Sequence, residues 1–474
     1  MIALINQAIK TKLKAEEIEK YTSSFVNKIF QNREADIVYK YKNKNIFFLI
    51  EHQTKIDYSM PYRILEYEIE IMKSAIDIRK VKNKEYKLNM TLTDVEYKFD
   101  NSKILFSFTI TCLLALLGCQ SKSTITFTKN VYTPQYAKGF DIMGADNTES
   151  TIIHVRNPWQ GAKDVEMSYF VSRNGEQAPK DFDGVVIPAG AKRIVCMSSS
   201  YIAMLDAINQ VERVVGVSGI HFITNPYINE HKKTIKDMGA EINYELLVGL
   251  NPDLVLLYGI GDAQTTVTDK LKELNIPYMY VAEYLEESPL GKAEWLVAIS
   301  ELTDNRTDGI KVFQAIPERY NKLKQLTANA TERPTVMLNT PWNDSWSMPS
   351  VKSYAAQLIS DAGGEYIYKK NTSHGAEPIG LETAYGLIRE ADIWLNVGMA
   401  TTMDELKNMN PKFKDAKAIR QKKVYNNNLR LNPGGGNDYW ESGSVHPDIV
   451  LRDLIKILHP KLISEELYYY RHLE

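Results

Sequence analysis

An uncharged, largely apolar run before the middle of the chain limits how its 474 residues can fold. Residues 104–117 carry no charged side chain, and they lie between Lys103 and the pair Gly118-Cys119. The run is shorter than the roughly 20 residues that span a bilayer, and it fits the ~7–15-residue apolar core of a secretion signal. A buried core helix and a short membrane anchor are the alternatives. The run therefore separates residues 1–102 from residues 120–474 as two segments that need not share a core.

The residues around Cys119 make the signal more specific. Leu116-Leu117-Gly118-Cys119, followed by the small polar stretch 120–123, resembles a bacterial lipoprotein signal. The resemblance implies cleavage before Cys119 and lipid attachment to its thiol. The mature chain would then be anchored at the cell membrane, facing the periplasm or the cell exterior. Because such signals act at the start of a chain, the position predicts either a membrane-tethered fusion or two joined reading frames.

Composition sets broad limits on both segments. Hydrophobic residues make up 44% of the chain and charged residues 24%, which is typical of globular protein. The net charge of -2 argues against an electrostatic nucleic-acid binder as the main activity. Apart from Cys112 in the run and Cys119, the chain has one cysteine, Cys196. We therefore expect no internal disulfide and a buried Cys196.

The segment before the run contains two strand patterns. They are 35–39 and 46–51, with Asn43 and Lys44 as the turn between them. Asp36 lies near the start of the first, and Glu51 ends the second, two residues before Gln53. Paired carboxylates on neighbouring strand ends can hold Mg²⁺, although strand pairs with two carboxylates are common.

A longer string in this segment is more specific. Residues 30–39, 48–53 and 60–65 resemble the recombination-promoting nuclease and transposase family, which has a PD-(D/E)XK nuclease core. The resemblance implies that Asp36 and Glu51 are Mg²⁺ ligands, while Gln53 stands where many such nucleases carry a lysine. It covers only about residues 15–88. We therefore interpret 1–88 as a truncated α/β fragment without function, with metal-dependent DNA cleavage as the alternative.

The junction at 89–102 is acidic. Asp94, Glu96 and Asp100 outweigh Lys98, whereas the region before a signal core should be positive. Met90 is therefore a poor alternative start. We infer a frameshift, an insertion or a joined gene at this junction, followed by the signal at 103–119.

The segment after the signal changes pattern twice. Residues 120–180 are predicted to be a tether followed by an antiparallel β extension, because 124–180 alternate apolar and polar side chains with turn residues between. Short apolar strands then alternate with helices over 181–290 and again over 331–474. This pattern predicts two parallel sheets covered by helices. A helical stretch at 291–330 lies between them and predicts one long bridging helix.

Two similar sequence motifs, one in each predicted lobe, also indicate a function. Residues 243–255 and 379–394 resemble the two lobe signatures of the ABC-importer binding proteins for iron-siderophores, haem and cobalamin. The resemblance implies an α/β fold with two Rossmann-like lobes bridged by a long helix. It also implies a binding protein rather than an enzyme, with ABC permease subunits as partners and no nucleic acid. Glu245 and Glu382 occupy the positions that dock to the permease; the alternative is helix N-terminal carboxylates favoured by the dipole.

Candidate ligand contacts follow from the loops after the parallel strands, where such clefts bind their ligands. The aromatic or cationic residues in these loops that we predict as ligand-binding are Trp342, Trp346, Tyr439, Trp440, Tyr258 and Arg430. Packing inside a lobe is the alternative for each tryptophan. His221 and His374 are weaker candidates. Few cations are present, which favours a corrinoid, a haem-like ligand or a chelate of low charge over a catecholate.

No resident cofactor is expected in this half. No metal-spaced cluster of His, Asp and Glu is evident, and no Lys-Ser/Thr follows the three glycines at 434–436, so a phosphate loop is excluded. The glycines are interpreted as a flexible or tight turn at the cleft.

Overall fold

The chain divides into two compact units, Met1–Cys119 and Gln120–Glu474. The computed structural model describes residues 126–259, 264–342 and 345–474, together with the backbone of three strands between residues 18 and 50. Each unit is considered by itself.

The first unit contains an antiparallel three-stranded sheet of order β1-β2-β3. Its strands are β1 (Ile18–Tyr21), β2 (Ile37–Tyr41) and β3 (Phe47–Ile50). Ile37 pairs with Ile50 and Tyr39 with Phe48, so both predicted strands are present as neighbours. Asp36, Glu51 and Gln53 lie outside the described residues, as do the apolar run and Cys119.

The second unit begins with the β extension. Its strands, in sheet order, are β4 (Lys129–Tyr132), β5 (Phe140–Gly144), β6 (Thr151–Arg156), β7 (Glu166–Ser172) and β8 (Val185–Pro188). The first four are antiparallel, as predicted, but β8 pairs with β7 in parallel. The extension thus reaches Pro188, beyond the predicted end at residue 180.

Lobe 1 is built on a five-stranded parallel sheet of order β11-β10-β9-β12-β13. Its strands are β9 (Ile194–Cys196), β10 (Val214–Val217), β11 (Lys236–Asp237), β12 (Leu254–Leu257) and β13 (Tyr278–Tyr280). Its helices are α1 (Ser199–Ala207), α2 (Pro226–Glu230), α3 (Tyr244–Leu250) and α4 (Gln264–Glu273). Every residue of β12 is buried because the sheet is covered on both faces.

The helical stretch predicted as one element is two helices, α5 (Pro289–Leu302) and α6 (Arg306–Leu326). They are separated by Thr303–Asn305, where Asp304 takes a left-handed φ of 61° that ends the α-helical path. Helix α5 is buried along almost its whole length and packs on α1, so it belongs to lobe 1. The long helix between the lobes is therefore α6, with 21 residues.

Lobe 2 repeats the architecture with the order β16-β14-β18-β19-β20. Its strands are β14 (Thr335–Leu338), β15 (Ser345–Met348), β16 (Glu365–Tyr366), β17 (Glu377–Gly380), β18 (Ile393–Leu395), β19 (Val424–Asn426) and β20 (Arg471–His472). The pair β15–β17 forms a separate antiparallel ribbon, and β20 is antiparallel to β19. Its helices are α7 (Tyr354–Asp361), α8 (Leu381–Glu390), α9 (Met403–Met409), α10 (Lys417–Arg420), α11 (Asp438–Glu441) and α12 (Pro447–Leu458).

Two buried carboxylates of lobe 1 hold the β extension in place. Glu294 on α5 accepts hydrogen bonds from the backbone amides of residues 135–137 at 2.7–2.8 Å and from the Tyr132 hydroxyl at 2.7 Å. Glu286 accepts from the amides of Lys138 and Gly139 and from the Trp295 indole. Burying a carboxylate is stabilising only when such donors surround it. The extension is therefore an integral part of lobe 1 rather than a loose tether.

Among the described residues, no helix combines the length and the apolar character needed to cross a membrane.

Candidate ligand-binding cleft

The two lobes touch on one flank through the segments that follow β10 and β19. The Asn432 side-chain amide donates to the carbonyl oxygens of His221 at 3.0 Å and Ile223 at 2.8 Å. Nearby, the Thr224 backbone amide donates to the Glu441 carboxylate at 2.8 Å. These bonds join lobe 2 to lobe 1 backbone, so they fix the position of the loops rather than of single side chains.

The three glycines belong to this contact. A β-carbon at Gly434 would overlap the carbonyl oxygen of His221, and one at Gly436 would overlap that of Phe222. The absence of side chains lets the two backbones approach. The glycine turn thus lies at the cleft, as predicted, and its specific role is contact between the lobes.

On the opposite flank, the segments after β13 and β16 meet. His374 Nδ1, in the segment after β16, lies 2.9 Å from Glu287 Oε1, in the segment after β13. Burial alone would raise the pKa of Glu287, but hydrogen bonds from His374 and Lys138 lower it. Charge therefore links the lobes on this side.

The contacts on the two flanks determine which strand ends of lobe 1 and lobe 2 face each other in the cleft. In lobe 1, β9 and β12 stand between β10 and β13; in lobe 2, β14 and β18 stand between β16 and β19. Since β10 is matched with β19 and β13 with β16, the carboxyl end of β12 faces that of β14, and β9 faces β18. The loops after these four strands form the centre of the cleft.

Large apolar side chains are exposed after the parallel strands of both lobes, and three of them, Trp342, Met399 and Tyr258, follow strands at the centre of the cleft. Trp342 follows β14 with 82% of its surface exposed, and Met399 follows β18 with 75% exposed. The others that follow a parallel strand are Phe222, Tyr258, Leu285, Leu429 and Leu431. Together they make up half of the large apolar side chains that are exposed in the described part of the chain. Exposed apolar surface concentrated in one place marks an interaction site.

Comparison with known families agrees with this geometry. Residues 194–428 match the family of periplasmic binding proteins. They form a periplasmic binding protein domain. Their two α/β lobes and the cleft between them are what a solute-binding role requires.

The binding domain has relatives among archaeal proteins. One uncharacterized lipoprotein of Methanocaldococcus jannaschii is 26% identical to this chain, and the match covers 69% of this chain and 82% of the relative. A second from the same organism is 25% identical, and the match covers 65% of this chain and 81% of the relative. A periplasmic haem-binding protein of Pseudomonas aeruginosa has a TM-score of 0.48 at 14% identity, covering 60% of this chain and 98% of its own.

Residues 1–97 match a different family, the YhgA-like transposases, which agrees with a separate origin for the first unit.

Within the binding domain, two of the predicted ligand residues lie at the central cleft. Trp342 and Tyr258 follow facing strands, and Tyr258 is 37% exposed. The backbone amide of Trp342 donates to the carbonyl of Ser345 at 2.8 Å. The bond engages only the backbone of Trp342, and its indole remains exposed.

Two other predicted residues are buried instead. Trp346 on β15 is fully buried, packs against Trp394 and Phe413, and donates its indole N–H to the Leu338 carbonyl at 2.8 Å. It is a lobe 2 core residue, so its prediction as a ligand contact is wrong. Tyr439 is also buried, with its ring edge-on to those of Tyr469 and Tyr470.

Trp440 and Arg430 lie at the glycine flank rather than at the centre. Trp440 is half-exposed and lines a cavity of about 20 Å³ next to Lys292 and Tyr354, too small for a ligand. Arg430 donates to Asp438 at 2.6 Å, and its guanidinium lies 4.3 Å from the centre of the Tyr468 ring. Its charge is therefore balanced within the protein.

The residues predicted from the sequence as ligand contacts did not include Met399, Phe222, Leu429 or Leu431. Each follows a parallel strand by three to five residues, and this position in the sequence is the signal that could have identified them. These residues lie outside the aromatic clusters from which the ligand contacts were predicted.

The predicted docking residues occupy matching places in the two lobes of the binding domain. Glu245 is the second residue of α3, which leads into β12, and Glu382 is the second residue of α8, which leads into β18. Both side chains are exposed. Because each helix runs antiparallel to the strand that follows, both glutamates lie towards the cleft edge of their lobe.

Several ionisable groups near the cleft are buried, and burial shifts their pKa values. Glu283 accepts a hydrogen bond from the Ser200 hydroxyl at 2.6 Å, and burial raises its pKa. Burial likewise lowers the pKa of Lys292 and raises that of Glu441 to about 7. Among the described residues, no group of three His, Cys, Asp or Glu could hold a metal ion.

Proposed function

We propose that residues 120–474 are the substrate-binding lipoprotein of an ABC importer, capturing an iron complex, haem or cobalamin and delivering it to the membrane permease. The observation that carries this proposal is the facing pair of strand ends, β12 and β14, each followed by an exposed aromatic side chain, Tyr258 and Trp342. Rings offered from both lobes suit a large flat ligand held between them.

Capture would work through movement of the lobes about α6. Arg319 pairs with Asp448 at 2.6 Å, and the Tyr320 hydroxyl donates to Asp361 at 2.8 Å, so this helix is fixed to lobe 2. Thr303–Asn305 leave a short non-helical segment on the lobe 1 side. A ligand that contacts both lobes stabilises the closed arrangement, and separation of the lobes at the permease releases it.

Cys119 would hold the binding unit at the membrane outside the cytoplasm. The lipoprotein relatives support this assignment, and the family supports an extracytoplasmic location. Mass spectrometry of the membrane fraction tests it. A mature species beginning at lipidated Cys119 is expected, whereas peptides spanning Leu88–Lys103 in that fraction would contradict processing.

Ligand binding is tested with the purified full chain. Titration with a corrinoid, haemin and ferric chelates should quench tryptophan fluorescence, and native mass spectrometry should give a one-to-one complex. Trp342→Ala should weaken binding at least tenfold, since an aromatic contact in a closed site contributes about 1–3 kcal/mol. Trp159→Ala, in the β extension beside Tyr280, is the matched control. Absence of binding to every member of the panel would exclude the proposal.

We propose metal-dependent DNA cleavage as an alternative function, carried by the first unit. Its match to the YhgA-like transposases over residues 1–97 supports this alternative, in which Asp36 and Glu51 would be the Mg²⁺ ligands. Cleavage of plasmid DNA that requires Mg²⁺ and is lost in Asp36→Ala would support it. No cleavage by the full chain would leave this unit without activity.

A further inference from the structure

Positive charge is concentrated in one segment of lobe 2. Residues 407–423 contain seven Lys and Arg side chains and one acidic residue, Asp415. The unit Gln120–Glu474 has the opposite balance, with 38 Lys and Arg against 44 Asp and Glu. A local excess of one sign on a unit of the other sign directs a partner of opposite charge to that place.

Four lysines of this segment are exposed and form no ion pair within the described part of the chain. They are Lys412, Lys414, Lys422 and Lys423. Lys417 differs from them, because its ammonium lies 2.7 Å from Asp392 Oδ1. The four lysines therefore keep their charge for a partner outside the unit.

Two exposed arginines lie beside them, around Asp415. Arg389, in the last turn of α8, lies 5.9 Å from the centre of the Tyr385 ring, and the Tyr385 hydroxyl donates to Asp415 at 2.8 Å. Arg420, at the end of α10, donates to the backbone carbonyl of Asp415. The hydrogen bond from Tyr385 and the charges of both arginines lower the pKa of Asp415. The single carboxylate of the segment is thus already engaged.

These six side chains belong to one surface. Phe413, between Lys412 and Lys414, has its ring centre 6.1 Å from that of Tyr385, and Lys422 follows Arg420 by two residues. The basic surface is made of Arg389, Lys412, Lys414, Arg420, Lys422 and Lys423.

The basic surface includes the end of lobe 2 that lies away from the cleft. Helix α8 leads into β18 and α10 leads into β19, so Arg389 and Lys423 precede the amino ends of these strands. The cleft loops follow the carboxyl ends of the same strands. Glu382 lies at the opposite end of α8 from Arg389. A partner at the amino ends of the strands therefore leaves the cleft loops and Glu382 uncovered.

An exposed apolar side chain adjoins the basic surface. Met409, the last residue of α9 and three residues before Lys412, has 53% of its surface exposed. Proteins that adsorb on a bilayer combine cations, which meet the anionic headgroups, with apolar side chains that enter the headgroup region. The long stems of lysine also let its charge follow a fluid surface.

Resting on the proposed lipid anchor only for the nearness of a bilayer, we infer that the basic surface of lobe 2 binds the anionic phospholipid headgroups of the membrane that carries the protein. The tether raises the effective concentration of this surface at the bilayer, so the contacts of single lysines add up to a preferred orientation. In that orientation the cleft stays open to ligand.

Co-sedimentation of the purified full chain with vesicles tests the inference. Every protein in the assay carries Cys119→Ser, so that no attached lipid contributes. Vesicles of phosphatidylcholine with phosphatidylglycerol are compared with vesicles of phosphatidylcholine alone. The chain should bind the anionic vesicles at least tenfold more tightly, and added salt should weaken this binding.

A fourfold variant locates the binding. Lys412→Gln, Lys414→Gln, Lys422→Gln and Lys423→Gln together should weaken binding to anionic vesicles at least tenfold, since one lysine near an anionic surface contributes about fivefold. Circular dichroism and thermal unfolding should match the unsubstituted chain, because all four side chains are exposed.

The matched control removes the same charge elsewhere in the unit. Lys192→Gln, Lys232→Gln, Lys233→Gln and Lys322→Gln change four lysines that are also exposed and form no ion pair in the described ranges. Binding of this control to anionic vesicles should stay within about twofold, because the field of a surface charge is screened within about 10 Å.

Three outcomes would overturn the inference. They are equal binding to both kinds of vesicle, unchanged binding by the fourfold variant, and an equal loss in the variant and its control. Loss of double-stranded DNA binding in the fourfold variant, with vesicle binding unchanged, would assign the basic surface to nucleic acid instead. No transported ligand takes part in these assays, so their failure is distinct from a failure of the proposed import function.

Discussion

At the scale of single residues, Glu441 shows how the contact between the lobes depends on protonation. Its carboxylate is buried and accepts the Thr224 backbone amide from lobe 1. Burial raises its pKa to about 7, although the hydrogen bonds from Thr224 oppose the rise. The folded protein therefore keeps a proton on Glu441 at pH values where the unfolded chain has lost it.

Because of this raised pKa, the stability contributed by Glu441 decreases as pH rises. Between the unfolded pKa of 4.5 and the folded value of about 7, the folded state binds more protons, so stability falls as pH rises. The full effect is roughly 3 kcal/mol, and it is constant above the folded pKa. Glu441→Gln, which resembles the protonated acid, should flatten this part of the profile.

The measurement is the free energy of unfolding by urea at several pH values between 4 and 8. The difference in the free energy of unfolding between wild type and Glu441→Gln should change across pH 4.5–7. Taking this difference cancels the contributions of other buried acids, such as Glu283 and Asp453, because both proteins contain them. A difference that is constant with pH would show that Glu441 does not titrate in this window.

Trp346 shows that residue type alone does not decide whether a side chain faces the ligand cleft or the core of the lobe. Two tryptophans follow β14 within eight residues, and aromatic density suggested that both face a ligand. The ribbon β15–β17 turns Trp346 and Met348 inward and leaves Ser345 and Ser347 less buried. This alternation was visible in the sequence, but pairing with a strand 30 residues later was not.

At the scale of elements, the strand and helix order of both lobes could be predicted because each strand is a short apolar run between polar turns. The break between α5 and α6 could not, because both helices continue the same apolar spacing. Asp304 ends the first helix through a backbone conformation, and the side-chain pattern carries only a weak sign of it. Likewise, the parallel pairing of β8 depends on the path of residues 173–184 rather than on the strand itself.

The docking of the β extension on α5 gives a prediction at this scale. Glu294→Ala removes the acceptor of three backbone amides and one hydroxyl, leaving buried donors unpaired. The free energy of unfolding should fall by about 3 kcal/mol. Amide hydrogen exchange at residues 135–137 should accelerate more than exchange in β12.

The control for this variant is Glu318→Ala, an exposed glutamate on α6. Its stability should change by less than about 0.5 kcal/mol. Unchanged hydrogen exchange at residues 135–137 in Glu294→Ala would show that the carboxylate does not hold the extension.

At the scale of the whole molecule, the matched places of Glu245 and Glu382 predict a separation of binding from transport. Replacing both by alanine should leave the ligand dissociation constant within about twofold, because both lie on exposed helix starts outside the cleft loops. Uptake of the ligand by cells that depend on this protein should be lost.

Glu241→Ala with Glu390→Ala is the matched control. These exposed glutamates lie before α3 and at the end of α8, and the double variant should transport normally. Loss of ligand binding in the Glu245 and Glu382 variant would instead show that these residues stabilise the lobes.

The path of the chain through α6 has a consequence for how the binding unit can be assembled. The backbone passes between the lobes once, through this helix, so each sheet is made from one continuous stretch of sequence. Lobe 1 can complete its sheet during synthesis, before any strand of lobe 2 has emerged. The exposed turn at 328–332 is then a natural place to divide the unit into two separately encoded polypeptides, which would reassociate through α6 and α12.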